Sequence, residues 1–232
     1  MFWTFVEATP ALGGSVQIDG KRGHHLARVL RVRPGERGVA VFAGREYELE
    51  IVAVEGARIE ARVLTDRPAR GEASTAVTLL QAVLPNPDFD AVLEGGTAVG
   101  IQQFVAVQAA RSVGRPPAGR LARWEAIIES AAEQSHRGGI PTVTGPVPLS
   151  SAVDHAVKGR LLVLDPAAAL PLGEAVDGSP AYTIAVGPEG GWTDDELSTL
   201  RGRGAIAVNL GPRILRARLA PIVAAAILVQ PP

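Results

Sequence analysis

The feature that most constrains the fold is the alternation of short apolar runs with helix-like stretches after about residue 76. The apolar runs have the length and content of buried strands, and they are 77–84, 104–107, 161–164, 182–186 and 205–210. Between and after them lie stretches with helical character, namely 89–99, 121–135, 194–203 and 215–229. This alternation predicts an α/β domain in which helices cover a parallel sheet.

The residues before this region predict a different kind of domain. Short strand-like segments, the last of them alternating apolar and charged residues, occur at 39–42, 47–54 and 57–63. Only 23–31 has helical character, and Pro34-Gly35 ends it. We therefore expect a small β-barrel-like domain over residues 1–70 and a second domain over 75–232, joined by a segment of linker composition at 67–75.

The composition excludes several kinds of chemistry. The 232 residues include no cysteine, so disulfides, thiolate zinc sites and a cysteine nucleophile are excluded. Neighbouring His24 and His25 would point in different directions on a helix, so no metal site is predicted. The longest apolar stretch, Leu219–Val229, is too short to span a bilayer, and the N-terminus lacks the basic region of a signal peptide. We expect a cytoplasmic protein without a membrane segment.

A glycine-rich segment, Gly187-Pro-Glu-Gly-Gly-Trp192, follows one predicted strand and precedes a predicted helix. Gly190 and Gly191 permit positive φ angles and a close approach of the backbone to a ligand. Thr193 and Glu196 have the spacing of a capping box, so the helix is expected to begin at Thr193. Open α/β sheets bind ligands at the carboxyl ends of their strands, where this segment lies.

The residues of this segment narrow the class of ligand. No Lys-Ser/Thr pair follows the glycines, and the pattern is not Gly-x-Gly-x-x-Gly, so the phosphate-loop and dinucleotide patterns are absent. Glu189, Asp194 and Asp195 would repel phosphate. Such a loop suits a ligand that lacks phosphate and carries positive charge, a description that S-adenosylmethionine meets. The alternative is an ordinary tight turn before a capped helix. Two further strand ends, at 164–166 and 209–216, would complete a pocket rim.

The charge of the chain is unevenly distributed. A net charge of −1 argues against a uniformly basic nucleic-acid binder. The basic segment, Lys21–Arg37, nevertheless contains six Lys and Arg residues and one acidic residue, Glu36. Such a density of cations favours contact with RNA phosphates, and the alternative is a solvated face that supports only solubility.

Several motifs together resemble one known family. The segment 187–192 followed by Leu210-Gly-Pro-Arg-Ile-Leu-Arg216 resembles the signature of the ribosomal RNA small-subunit methyltransferase E family, part of the SPOUT superfamily. His24–Gly35 is similar to the family's N-terminal segment, and 123–127 with Ala131–Pro141 is similar to its middle helix and the loop after it. These similarities run in collinear order over nearly the whole chain.

The resemblance implies a fold and an activity. It implies a PUA-like RNA-binding domain followed by a SPOUT domain, which has a parallel sheet and a deep trefoil knot. It implies a homodimer with each active site near the subunit interface and S-adenosylmethionine as the cofactor. The product would be N3-methyluridine in 16S ribosomal RNA, formed either on the RNA or on the assembled 30S subunit.

The resemblance, the chemistry of the implied reaction and the distribution of charge together indicate three sets of site residues. The cofactor set lies at three strand ends and comprises Leu164, Asp165, Gly187, Pro188, Glu189, Gly190, Gly191, Leu210, Gly211, Ile214 and Leu215. In the catalytic set, Arg216 would stabilise the uridine anion and Glu189 would orient the cofactor or its loop. The RNA-binding set comprises Arg22, His24, His25, Arg28, Arg31, Arg33, Arg137 and Arg213.

The chain departs from the family pattern at five positions. The family usually has Lys and Glu at the positions of Gly95 and Ala98, a Glu-Thr pair at those of Arg218 and Leu219, and a basic residue at that of Trp3. These changes remove polar groups near the expected substrate site and leave the cofactor loops intact. Two other functions therefore stay open, a non-catalytic RNA-binding relative and an α/β enzyme that binds another adenine-containing ligand.

Overall fold

The structure is a computed structural model that describes residues 1–113 and 119–229. It divides into two compact units, of which unit 1 comprises Met1–Glu72 and Ala132–Gly139, and unit 2 comprises Ala73–Ala131 and the residues from Ile140 onward. The division after Glu72 falls inside the expected linker. The inclusion of Ala132–Gly139 in unit 1 differs from a simple division along the chain, because Ala132 is buried in a cluster with three N-terminal residues, Phe5, Val39 and Val41.

Unit 1 is built on a five-stranded sheet in the order β1-β3-β4-β5-β2. Its strands are β1 (Phe2–Phe5), β2 (Ser15–Ile18), β3 (Arg37–Phe42), β4 (Arg45–Glu55) and β5 (Arg58–Pro68). β1 pairs with β3 in parallel, and the other neighbouring pairs are antiparallel. The three predicted strands are present, and β5 extends into the expected linker.

The basic segment begins with a helix whose second half is unusual. Helix α1 (Gly20–His24) continues into a π-helical turn, His25–Leu30. Leu26 is 1% exposed and belongs to the core that the apolar residues of β4 and β5 form. Arg31 ends the turn in the left-handed conformation, at φ 55°. Val32 is buried in the same core, so two apolar residues fix the segment to the unit while Arg28, Arg31 and Arg33 remain exposed.

Unit 2 contains a sheet of six strands in the order β11-β9-β10-β6-β7-β8, and every neighbouring pair is parallel. Its strands are β6 (Ala76–Ala82), β7 (Gln103–Gln108), β8 (Thr142–Pro148), β9 (Arg160–Leu164), β10 (Ala181–Val186) and β11 (Ile206–Val208). Its helices are α2 (Asn86–Val99), α3 (Arg120–Gln134), α4 (Leu149–Ala156), α5 (Leu172–Ala175), α6 (Asp194–Gly202) and α7 (Ala220–Val229), of which α3 ends within unit 1.

The strands of unit 2 read as continuous apolar runs because both faces of the sheet are covered. Leu79 and Leu80 are neighbours on β6, both are fully buried, and they belong to two different core clusters. The predicted α/β class with a parallel sheet is confirmed.

Four elements of unit 2 differ from expectation. β8, α4 and α5 were not predicted. β8 lies at the sheet edge and has only alternate residues covered, so it lacks the continuous apolar run by which the other strands were recognised. The last helix was expected to begin at Leu215, but α7 begins at Ala220. Gly211, at φ 90°, and a turn in which Leu219 N donates to Arg216 O hold the preceding residues in a loop.

Two absences concern the described part of the chain. No helix there combines the length and the apolar character that crossing a membrane requires. Within the same residues, no group of three or more His, Asp or Glu side chains is arranged to hold a metal ion.

Candidate active site

Three neighbouring strands of unit 2 end at one edge of its sheet and lead into three loops. β11, β9 and β10 are adjacent and parallel, so their carboxyl ends lie together. We name the loops that follow β9, β10 and β11 loop A (165–171), loop B (187–193) and loop C (209–219). The three loops border one cavity of about 280 Å³. Its lining comprises Leu164, Asp165, Pro166, Val186, Gly187, Pro188, Glu189, Gly191, Trp192, Leu197, Val208, Asn209, Leu210, Gly211, Arg213, Ile214, Leu215, Ala217 and Ala220.

Loop B is a tight turn that leads into a capped helix. Gly191 N donates to Pro188 O at 2.8 Å, and Gly191 adopts φ 70°, a conformation that favours glycine. Thr193 Oγ1 accepts from Glu196 N at 3.3 Å, and Glu196 Oε2 accepts from Thr193 N at 2.8 Å. This is the predicted capping box, with Thr193 as the N-cap residue of α6. The turn and the cap together fix where the loop backbone lies.

Only one of the two glycines singled out in loop B has the expected conformation. Gly191 has a positive φ, whereas Gly190 does not. A Cβ placed on Gly190 would meet Arg111 Cδ at 3.4 Å, which is ordinary van der Waals contact. Gly190 also does not line the cavity. The conformational requirement for glycine therefore applies at Gly191.

Loop B is tied to the end of β7 by two residues. Arg111 Nη1 donates to Gly190 O at 2.8 Å and to Trp192 O at 3.3 Å. Glu196 Oε1 accepts from Ala110 N at 2.8 Å, while its other oxygen serves the capping box. Arg111 could not be recognised from sequence motifs, because its partners lie about 80 positions later in the chain.

Asn209 joins loops A and C. Its Nδ2 donates to Ala168 O at 2.9 Å, and its Oδ1 accepts from Gly211 N at 2.8 Å. Its backbone N donates to Leu170 O at 2.9 Å, and its backbone O accepts from Leu172 N at 2.9 Å. This one residue therefore fixes the separation of two loops that border the cavity, a role that sequence motifs did not indicate.

The indole of Trp192 forms part of the cavity wall. It lies against Gly187, since a Cβ placed there would come within 3.2 Å of Trp192 Nε1. Trp192 is 8% exposed, and its Nε1 is buried without a hydrogen-bond partner among the described residues. Trp192 therefore contributes shape to the cavity wall and not an accessible hydrogen-bond donor.

The structure brings most of the predicted cofactor residues together. All of them line the cavity except Gly190. Glu189, in the predicted catalytic set, lines it and is exposed, whereas Arg216 is exposed on loop C and does not line it. Arg213, predicted to bind RNA, is exposed and lines the cavity.

The predicted RNA-binding residues of unit 1 fall into two groups. His24, His25, Arg28, Arg31 and Arg33 are exposed on the basic segment, as RNA contact requires. Arg22 is partly covered and pairs with Glu7 at 3.3 Å.

Arg137 corrects the prediction for its position. It is 2% exposed, and its Nε and Nη2 donate to the two carboxylate oxygens of Glu72 at 2.7 and 2.8 Å. A buried guanidinium that is paired in this way has a structural role and is not accessible to an RNA phosphate.

Two departures from the family pattern have structural roles in unit 2. A Cβ placed on Gly95 would lie 2.6 Å from Ile222 Cδ1, so glycine permits α2 and α7 to pack closely. Arg218 Nη1 pairs with Asp88 Oδ1 at 2.9 Å. Nothing in the structure explains Ala98 or Leu219.

Known proteins with the same arrangement identify the family. The family model of an RNA methyltransferase domain matches residues 71–229, and that of an RNA methyltransferase PUA domain matches 18–64. Ribosomal RNA small subunit methyltransferase E of Mycobacterium bovis is 35% identical over 95% of this chain and 88% of its own length. The Synechocystis protein of the same name is 34% identical over 91% of this chain and 72% of its own length.

Solved structures agree over almost the full length. Ribosomal RNA small subunit methyltransferase E from Neisseria gonorrhoeae, bound to S-adenosylmethionine, has a TM-score of 0.91 and 32% identity, covering 97% of this chain and 95% of its own. A putative methyltransferase from Legionella pneumophila, in complex with the same cofactor, has a TM-score of 0.85 and 26% identity, covering 98% and 95%. The chain belongs to the ribosomal RNA small subunit methyltransferase E family.

Proposed function

We propose that the protein transfers a methyl group from S-adenosylmethionine to N3 of a uridine in small-subunit ribosomal RNA. The observation that carries the proposal is the convergence of loops A, B and C on one cavity of unit 2. The relative from N. gonorrhoeae holds S-adenosylmethionine and is 32% identical to this chain. We keep the cofactor set predicted from the sequence. Gly190 does not line the cavity, but its carbonyl oxygen accepts from Arg111 Nη1, and this bond holds loop B.

The cavity suits a ligand with an apolar body and positive charge. Leu164, Val186 and Val208 contribute apolar walls, and the side chains of Asp165 and Glu189 are carboxylates on the same lining. Carboxylates favour the sulfonium and ammonium groups of S-adenosylmethionine and disfavour the phosphates of adenosine triphosphate.

Methyl transfer requires mainly that uridine N3 and the methyl group be held in position. S-adenosylmethionine supplies a methyl group that is already activated toward a nucleophile. The chain has to hold uridine N3 against it and stabilise the negative charge that N3 acquires when it loses its proton. We assign the stabilisation of this anion to Arg216, which is exposed on loop C, and the orientation of the cofactor to Glu189.

The RNA is proposed to contact the exposed cations of the basic segment. These are Arg28, Arg31 and Arg33, with His24 and His25 beside them. Phosphate contacts of this kind position RNA without reading its sequence. Arg22 is included as a contact of the same strip, and Arg213 as a contact at the cavity. The substrate is the ribosomal RNA or the assembled 30S subunit.

We also infer that the protein is a cytoplasmic homodimer with a trefoil knot in unit 2. Three apolar side chains are exposed on loop C and α7, namely Ile214 at 85%, Leu219 at 45% and Ile227 at 37%. A symmetric interface would remove such side chains from water. Light scattering at micromolar concentration should give the mass of a dimer, and the mass of a monomer would contradict this inference.

The activity is tested by mapping modified uridines in small-subunit RNA from a strain that lacks the protein, with and without added purified protein. The methyl group on uridine N3 should be missing and should return on addition. Calorimetry with S-adenosylmethionine and with adenosine triphosphate tests the cofactor in parallel. Cofactor binding without methyl transfer would indicate a non-catalytic RNA-binding relative, and binding of adenosine triphosphate alone would indicate a different enzyme.

A further inference from the structure

Two aromatic rings of unit 1 are stacked at its surface. The indole of Trp3, on β1, and the imidazole of His136 lie with ring centroids 4.5 Å apart and planes inclined by 12°. Trp3 is partly covered, while His136 is exposed. Within the described residues, neither imidazole nitrogen of His136 takes part in a hydrogen bond. The stack thus ends in an exposed ring whose polar edge is unused.

The backbone that follows His136 is held firmly. Trp3 Nε1 donates to Arg137 O at 3.3 Å, which fixes the indole against this backbone. Glu72 accepts both from the guanidinium of the buried Arg137 and from Gly138 N, the latter at 2.9 Å. The stack is therefore anchored by one ion pair and two hydrogen bonds to the backbone, and it is not a contact between mobile side chains.

His136 has a backbone conformation that is uncommon for residues other than glycine. Its φ is 57°, in the left-handed region that glycine and asparagine adopt most readily. Gly71 lies directly against it, because a Cβ placed on Gly71 would come within 2.0 Å of His136 O. The turn itself would be satisfied by glycine or asparagine, so the fold does not account for an imidazole here. A strained residue with an exposed functional side chain points to a role in binding.

We propose that Trp3 and His136 form a stacking platform for an unpaired base of the RNA substrate. This inference rests on the proposed function, which supplies the RNA. Unpaired bases stack on aromatic side chains, and the exposed face of His136 would extend the column by one more ring. Arg70, exposed and adjacent in sequence to Gly71, places a cation beside the platform for the neighbouring phosphate.

The substitution His136→Asn tests the platform, because asparagine tolerates the left-handed conformation but has no ring. Binding of a single-stranded RNA fragment that contains the target uridine should weaken about tenfold, while the salt dependence of binding stays the same because no phosphate contact is removed. The control His136→Phe keeps an aromatic ring and should bind more tightly than His136→Asn. An unchanged affinity of His136→Asn would overturn the inference.

Tryptophan fluorescence gives a second, direct measurement. Trp124 and Trp192 are 1% and 8% exposed, so Trp3 is the tryptophan closest to solvent and to a stacked base. The single-stranded fragment should change the emission of the parent, and Trp3→Leu should abolish that change. Emission that responds equally in Trp3→Leu would overturn the platform. Cofactor affinity and methyl transfer are measured on the parent separately, so failure of the proposed function is recognised independently.

Discussion

The basic segment of unit 1 and loop B of unit 2 were both predicted to bind ligands, yet they present binding groups in different ways. The basic segment exposes Arg28, Arg31 and Arg33 on a surface strip. Loop B lines a cavity mainly with backbone and small residues, and Glu189 is its one charged side chain there. The first arrangement suits a long polyanion whose register is free to vary, and the second suits a small ligand of fixed shape.

Whether a charged residue is available to a ligand depends on what it pairs with in the folded chain. Arg137 and Arg31 both follow helical segments, and both were expected to contact RNA. Arg31 is exposed, whereas Arg137 is buried against Glu72. Only the first remains available to a ligand, so the comparison between the two regions depends on separating structural cations from free ones.

The largest effect is expected from removing the partner of Arg137. Glu72→Ala removes the carboxylate that accepts from Nε and Nη2 of the buried Arg137, which should lower the free energy of unfolding by about 3 kcal/mol. This is the lower end of the range for buried pairs, because the Glu72 side chain is itself 28% exposed. Urea unfolding measures the loss. The control Arg37→Ala breaks the exposed pair with Glu48 and should change stability little. Equal losses in the two variants would show that Arg137 is not a structural cation.

The next effect concerns the salt dependence of RNA binding by the basic segment. Replacing Arg28 and Arg33 by Ala, and the left-handed Arg31 by Gly, removes three phosphate partners. The salt slope should fall by about 2.7, which is about 0.9 for each lost contact. Lowering the salt from about 200 to 50 mM should therefore strengthen RNA binding by a factor roughly 40-fold smaller than in the parent.

A triple replacement of the same arginines by lysine preserves the charge and should preserve the slope. Cofactor affinity should be unchanged in both triple variants, because the cavity residues belong to unit 2. If the neutral variant keeps the parent's slope, the segment is only a solvated face and the comparison with loop B fails.

A methyl group added at Gly191 should weaken cofactor binding, whereas one added at Gly190 should not. Gly191→Ala forces a side chain into φ 70°, which costs about 1–2 kcal/mol and should weaken S-adenosylmethionine binding about tenfold. Gly190→Ala is the matched control, since its methyl group meets Arg111 at an ordinary distance. Calorimetry on the two variants is the measurement. Equal affinities would remove the left-handed turn from the cofactor site.

The smallest effect is expected at the residue that joins loops A and C. Asn209→Asp keeps the acceptor for Gly211 N and loses the donor to Ala168 O. Losing one hydrogen bond of about 1 kcal/mol should weaken S-adenosylmethionine binding about fivefold. Asn209→Leu loses both bonds and should bind more weakly still. Variants that bind equally would mean that the spacing of the two loops does not matter for the cofactor.

Much of the fold could be predicted because burial on both sides of a sheet leaves a clear trace in sequence. β6, β7, β9 and β10 lie within about two residues of the predicted apolar runs. β8 left no such trace, because an edge strand with one covered face needs only alternate apolar residues. The start of α7 was misplaced since apolar residues of loop C serve the cavity and not the helix.

The parts of the site that could be predicted from the sequence are its glycines and its strand ends. These signals are local, and they located loops A, B and C. The contributions of Arg111, Asn209 and Glu72 could not be predicted, because each depends on partners between 41 and 81 positions away in the chain. Hydrogen bonds of this kind exist only once the sheet has brought the loops together.

The inclusion of Ala132–Gly139 in unit 1 has a consequence for how the chain acquires its structure during synthesis. Residues 1–72 leave the ribosome first, but they lack Ala132 of one core cluster and the guanidinium that Glu72 binds. Unit 1 therefore cannot be completed until Gly139 has emerged, by which point β6, β7 and α3 of the intervening segment are also present. Closing so long a loop delays the nonlocal contacts. The N-terminal unit is first in the sequence, yet its last residues are synthesised only after a large part of unit 2.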